Sequence, residues 1–238
     1  MSELSFVGVI LIIYFITMSV IYNNVIIVTR YKVNTGKQYA KKRVVYLADM
    51  FSNNHSLRIN SIIEKVRKCS PDIIVVTGRL PEECKIDPNG ILSKLSEIAT
   101  VYCAFSDVDG SIASDEIKIL NEYSVLALSS DAENADVLSS FSKLDNLKIL
   151  ICEKPSDFDK AVCEKDIDMS LCWQGGGLML RMPFYGLVYS TIEGLLPKYP
   201  GRYHKKQGTH LFATTGVGKS FLPLRISNFR EIPCIDIE

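Results

Sequence analysis

PDIIVVTGRL, residues 71–80, decides the fold class of this chain. Ile73 to Val76 are four consecutive β-branched side chains, with Pro71 before them and Gly78 after. A run this short and this uniformly apolar reads as a strand buried on both faces, the kind found inside covered α/β sheets. Just upstream, HSLRINSIIEKVRK (55–68) sets Leu57, Ile59, Ile62, Ile63 and Val66 mostly on one helical face. Ser70-Pro71 ends that helix, because the residue before a proline avoids the α region.

The same alternation extends outward from this stretch. NVIIVTRYKV (24–33) and RVVYLAD (43–49) read as strands from their β-branched and apolar content. Downstream, helices are expected over 91–99, 113–123, 133–144 and 156–162, and strands over 100–105, 124–130, 147–152 and 167–173. The tail turns to Gly, Pro and aromatic residues, with short strands near 178–182, 209–215 and 231–237. The pattern is a layered α/β domain over residues 24–238 with an antiparallel tail.

LSFVGVILIIYFITMSVIY (4–22) stands apart from that domain. It carries no charge and no polar face, and is about as long as a helix must be to span a hydrocarbon core. Glu3 is the only charge before it and SVIYNN is a poor cleavage site, so an uncleaved transmembrane anchor is expected rather than a signal peptide. Arg30, Lys32, Lys37, Lys41, Lys42 and Arg43 all follow the run, which favours a cytoplasmic domain.

Composition excludes some function classes. The 27 basic and 27 acidic residues cancel and are mixed along the 238-residue chain, with no basic block for nucleic acid. Seven scattered cysteines without a CxxC pair read as free, mostly buried thiols, not as a disulfide framework or a zinc site.

In open α/β sheets, functional residues gather beyond the carboxyl ends of strands. Those ends are Ala48-Asp49-Met50-Phe51, Thr77-Gly78-Arg79-Leu80, Phe105-Ser106-Asp107-Val108-Asp109, Ile151-Cys152-Glu153-Lys154-Pro155 and Leu171-Cys172-Trp173-Gln174-Gly175-Gly176. ATTGVGKS (213–220) has the spacing of a phosphate-binding loop. Pro223, three residues past Ser220, opposes the helix such a loop must open, so no nucleotide site is expected there.

Taken in order, YLADMF, PDIIVVTGRL, CAFSDVDG, LICEKPSDFD, LCWQGGG and TTGVGKSFLPLRISNFREI resemble the calcineurin-like metallophosphoesterases, specifically their membrane-anchored bacterial branch. The resemblance covers about residues 24–238. It implies two mixed β-sheets flanked by helices behind an N-terminal transmembrane helix, on a bacterial cell membrane. It also implies a pair of divalent metals, Mn, Fe or Zn, held by Asp, Asn and His, with a metal-bound hydroxide attacking phosphorus.

Nearly all the residues that chemistry needs are replaced. Asp49 matches the first aspartate, but Phe51 stands at the following histidine and Arg79 at the bridging aspartate. The Asn-His pair is Asp107-Val108, and the remaining histidines fall at Glu153, Cys172 and Gln174. His55, His204 and His210 match no motif position and read as surface or packing residues. A guanidinium stays charged at any ordinary pH, so Arg79 would put a positive charge between two dications. Two readings of Arg79 stand: an internal salt-bridge cluster with Asp49, Asp107 and Glu153, or a side chain turned to solvent beside Glu82 and Glu83.

The resemblance thus implies a pseudoenzyme, a scaffold or binding module without cofactor, with a protein partner or an anionic ligand. The alternative is a metal-dependent phosphoester hydrolase with a rebuilt site of Asp49, Asp107, Glu153 and Cys172, since carboxylates and a thiolate hold zinc. Lesser features have structural readings beside functional ones: Gly175 to Gly177 as a tight turn or an anion cradle, Trp173 as a packed ring or a cover on the site. Arg202, Lys205 and Lys206 read as a solvated loop or a lipid-headgroup contact.

Overall fold

The structure is a computed structural model that describes residues 3–37, 41–51, 56–79, 87–106, 117–120, 123–128, 135–152, 154–159, 166–175, 179–182, 184–190, 192–218 and 225–238. Its first element is α1 (Glu3–Asn24), long and apolar enough to cross a membrane, with only 12% of that span buried against the rest of the chain. That exposure is unlike a core helix. One residue, Val25, separates it from β1 (Ile26–Val33).

PDIIVVTGRL supplies β3 (Ile73–Arg79), the fourth strand of a five-stranded sheet. The order is β1, β15 (Arg230–Ile237), β2 (Lys42–Ala48), β3, β4 (Thr100–Ser106). β2, β3 and β4 are mutually parallel, and β15 lies antiparallel to β2 and parallel to β1. Ile73 and Val75 face one core while Ile74 and Val76 face another, and all four are fully buried. This is why the run is apolar without alternation.

The second large sheet has six strands. β12 (Tyr203–Lys206), β13 (Thr209–Thr214), β8 (Met169–Trp173) and β7 (Leu147–Cys152) are followed by β6 (Tyr123–Leu128) and β5 (Ile117–Leu120). β13, β8, β7 and β6 are parallel. The two sheets face each other: Tyr46, Val75, Ala104 and Ile235 of the first share a core with Val125, Ile149, Leu171 and Phe212 of the second. Outside the first sheet, α2 (Ser56–Cys69) inserts Ile59, Ile62, Ile63 and Val66, and α3 (Pro88–Ser96) inserts Ile91 and Leu95. Outside the second, α4 (Ala135–Ser142) brings Phe141 onto Leu126, Leu150 and Leu211. The architecture is mixed α/β, with mixed sheets and few helices.

Three expectations are corrected. Ile117–Leu120, read as part of a helix over 113–123, is an edge strand paired antiparallel to β6. Only Ile117 and Ile119 alternate there, and an available neighbouring edge overrides weak helix propensity. The tail is not simply antiparallel, because β13 joins β8 and β15 joins β1 in parallel. The tail also builds a third, four-stranded sheet, ordered β11 (Gly194–Leu195), β10 (Gly186–Ser190), β9 (Met179–Met182), β14 (Arg225–Ile226). Finally, α3 begins three residues before the periodic stretch at 91, because the Asp87 carboxylate accepts from the amides of Asn89 and Gly90 and Pro88 sits at the first helical turn.

Candidate functional site

The carboxyl ends of β2 and β13 meet, which closes the two sheets over one region. The Val217 amide donates to the Ala48 carbonyl at 2.9 Å, and the Gln174 amide to the Thr214 carbonyl at 2.8 Å. Asp49 leaves β2 in a left-handed conformation (φ 57°), its amide donating to the Thr77 carbonyl at 2.8 Å. Gly78 makes that turn possible: at φ +123°, a Cβ there would lie 2.7 Å from the Asp49 Cα. Gly218 covers the other side, where a Cβ would fall 2.1 Å from Asp49 Oδ2. Asp49 is therefore buried, enclosed by glycine backbone on two sides.

This also decides what the loop of ATTGVGKS does, over its described part. The Val217 amide is bonded to β2 and the Gly216 amide donates to Thr214 Oγ1 at 3.2 Å. Two of the amides a phosphate would need are already engaged, and the loop lies on Asp49 instead. Lys219 and Ser220 lie outside the described residues.

Arg225 clamps the same loop. It is fully buried in β14, and its Nη2 donates to the carbonyls of Thr215 (3.2 Å) and Gly218 (3.4 Å). Among the described residues its Nε and Nη1 have no hydrogen-bond partner, and neither does Trp173 Nε1, which closes β8 beside Gly216. Burial lowers the Arg225 pKa to about 10; nearby Asp49 opposes that fall and Arg202 adds to it. Arg230 is lowered by burial to about 9, with Arg58 and Arg225 as like-charged neighbours and Asp49 acting against them.

Glu231 is the counterweight. Fully buried at the start of β15, it accepts from Tyr31 Oη at 2.9 Å and Thr214 Oγ1 at 3.3 Å, and pairs with Arg202 Nε at 3.3 Å. One carboxylate thus joins β1, β13 and the segment leading into β12. Burial and Glu231 push the Tyr31 phenol well above its usual range. Neither Arg225 nor Glu231 is marked by the sequence pattern: β14 has only two residues, and Glu231 shares β15 with Arg230 and Asp236.

Among the described residues, Phe51, Cys172 and Gln174 lie in different surroundings. Phe51 is buried under α2, its ring meeting Phe105 edge-on at 5.6 Å between centroids. Cys172 lies on the outer face of the second sheet, opposite Cys152 in the strand register, with Ser170 Oγ 3.6 Å from its thiol. Burial, then the neighbouring Cys152, pushes the Cys172 thiol well up. Gln174 is used up internally: Nε2 donates to the Tyr199 and Gly201 carbonyls and Oε1 accepts from Arg181 Nη2. Arg79 ends β3 opposite Ser106 of β4, but its side chain lies outside the described residues, as do Asp107, Val108 and Glu153. The salt-bridge cluster expected around Arg79 therefore falls there too. Cys69, Cys103, Cys152, Cys172 and Cys234 are free thiols. No group of three His, Cys, Asp or Glu stands together as a metal cage among the described residues.

Two histidines are packing residues. His210 Nε2 donates to the Asn34 carbonyl at 3.2 Å, so its Nδ1 accepts from Tyr203 Oη at 2.8 Å. Burial lowers its pKa. His204 Nε2 accepts from the Gly201 amide at 3.1 Å, and burial lowers it as well.

The basic spot at 202–206 is largely paired internally. Arg202 holds Glu231, and Lys206 and Lys198 both hold Asp159, which also accepts from Tyr199 Oη at 2.6 Å. Burial would raise the Asp159 carboxyl, but those three donors outweigh it and hold it well below the usual range. A depressed carboxyl contributes stability above its unfolded pKa of about 3.9, and that contribution is lost as pH falls through the folded value. Asp159→Asn should therefore flatten the stability profile below about pH 4, read as unfolding midpoints against pH in detergent. An acid slope unchanged from the parent chain would refute the assignment.

No family model matches the chain, and no solved structure matches it. A stretch of 119 residues, half of this chain, is 27% identical to the protein named Increased recombination centers protein 6 of the yeast Vanderwaltozyma polyspora. The chain spans about half the length of that relative, with 46% of it covered. Similarity of that extent does not place the chain in a family.

Proposed function

We propose that this chain is a membrane-anchored domain of metallophosphoesterase-like layering that has lost the binuclear metal site and works as a binding or scaffold module. The observation that carries this reading is the use made of the ligand positions. Where the family resemblance implies histidine ligands, Phe51 and Cys172 fill two separate cores and Gln174 ties together the segment 199–201. These side chains do not fit a pair of transition metals, and a thiol raised by burial does not offer the thiolate that a rebuilt zinc site requires. The donors of Arg225 and Trp173 that have no partner among the described residues suit an anionic group as ligand, and a protein partner bearing one is equally compatible. The cytoplasmic placement belongs to the same proposal, supported by the basic residues that follow α1; the bacterial membrane rests on the family resemblance alone.

The test is metal analysis and turnover on the full chain in detergent. After loading with Mn²⁺ or Zn²⁺ and dialysis, no stoichiometric metal is expected, and a generic phosphodiester should be hydrolysed no faster than in a buffer blank. Two tightly held metals, or turnover abolished by Asp49→Ala, would establish the hydrolase instead.

A further inference from the structure

The small third sheet carries a group of exposed apolar side chains. Met182, Phe184, Tyr185, Leu195 and Leu196 are each at least half exposed, and Phe184 is fully so. Single exposed apolar residues are ordinary, but a contiguous set marks an interaction surface. Met182 ends β9, and Phe184 and Tyr185 form the turn into β10. β11 runs antiparallel to β10, with Leu195 opposite Tyr189 and the Leu196 amide donating to the Val188 carbonyl. Met182, Phe184 and Tyr185 therefore lie together at the turn end of this sheet, while Leu195 and Leu196 stand back from it on the edge strand.

α1 packs against β14, the strand beside β9. β14 is parallel to β9 with Ile226 opposite Leu180, so the chain leaving Ile226 runs in the direction in which Met182 lies. Three residues later, the Phe229 ring meets Tyr22 of α1 edge-on at 4.6 Å. The last turn of α1 is held further by Arg58 Nη2 donating to Asn24 Oδ1 (2.8 Å) and Arg230 Nη1 to the Asn23 carbonyl (3.4 Å). With Val25 alone between α1 and β1, no linker lets the domain swing away from the helix.

We propose that the β9–β10 turn, with Met182, Phe184 and Tyr185, forms a second membrane contact, seated in the interface of the bilayer that α1 crosses. This rests on the membrane reading of α1 above. The chemistry fits a lipid surface: residues 179–190 contain no Asp or Glu, and an aromatic pair at the tip suits the headgroup level, where apolar rings with polar edges collect. The domain is thereby pinned at two points, α1 and the turn, with its orientation to the bilayer set.

The experiment places indole reporters in the full chain reconstituted into phosphatidylcholine and phosphatidylglycerol vesicles. Phe184→Trp and Phe15→Trp are compared with the parent chain, whose one tryptophan, Trp173, supplies the background. Lipids bearing a nitroxide near the headgroup should quench the Phe184→Trp signal about twofold, and lipids bearing it deep in the acyl chain should quench Phe15→Trp. Quenching at Phe15→Trp without quenching at Phe184→Trp overturns the second contact while leaving the anchor intact. Absence of quenching at both overturns the anchor reading, and the second contact with it. An unquenched, blue-shifted Phe184→Trp signal that depends on protein density in the vesicle would assign the patch to a second copy and also overturn the proposal.

Discussion

Glu231→Ala is expected to be the most damaging single substitution in the site, lowering stability by about 3–5 kcal/mol. The reason lies in what the carboxylate leaves behind. Glu231 is fully buried, accepts from Tyr31 and Thr214 and is ion-paired with Arg202. Removing it strands the Arg202 charge near Arg181, which already feels Arg202 as a like charge. An uncompensated charge in a buried network costs far more than the lost hydrogen bonds alone. For a chain of this size the loss corresponds to a melting temperature lower by roughly 6–20 °C. Tyr31→Phe, which deletes one hydrogen bond and no charge, should cost only about 1 kcal/mol. Denaturant titrations of both variants in detergent check this. If Glu231→Ala were no worse than Tyr31→Phe, Glu231 would not be the tie between the two sheets.

The second large effect concerns Gly78. An alanine there meets two penalties at once, a φ of +123° that side chains do not adopt and a Cβ placed 2.7 Å from the Cα and 2.8 Å from the amide nitrogen of Asp49. Both opposing atoms are backbone, so no rotamer relieves the contact. Strain of about 1–3 kcal/mol and overpacking of about 1–3 kcal/mol add to an expected loss of roughly 2–6 kcal/mol. Gly36→Ala is the matched control, with φ +74° and open space around the added methyl, and should cost about 1–2 kcal/mol. Equal costs at the two positions would mean that the ends of β2 and β3 are free to part. The difference between them measures how firmly the Asp49 turn is held.

Much of the fold was legible before any coordinates. PDIIVVTG is apolar at every position from Ile73 to Val76 because both of its faces are covered, so continuity of the run and burial of the strand are one fact. The helical periodicity of 55–68 put Ile59, Ile62, Ile63 and Val66 on the face that α2 buries. The uncharged run 4–22 falls within α1. These features are local, set by a period and a length that the chain carries wherever it is placed.

What the sequence did not show is everything that depends on a neighbour. Ile117–Leu120 took its state from the free edge of β6, and Arg225–Ile226 became a strand because β9 lay beside it. Side-chain direction had the same origin: Cys172 and Trp173 are adjacent in the chain, yet one joins the outer core and the other packs toward the inter-sheet core, because a strand alternates its faces. The charged heart of the site was hidden for this reason too. Arg225 and Glu231 are six residues apart in the sequence and lie in different sheets. The sequence by itself determined the strand and helix periods and the N-terminal apolar span. Only the tertiary structure decided that Gly78 and Gly218 enclose Asp49 and that Glu231 joins the sheets, because close approach and charge pairing are properties of distances across the fold, not of spacing along the chain.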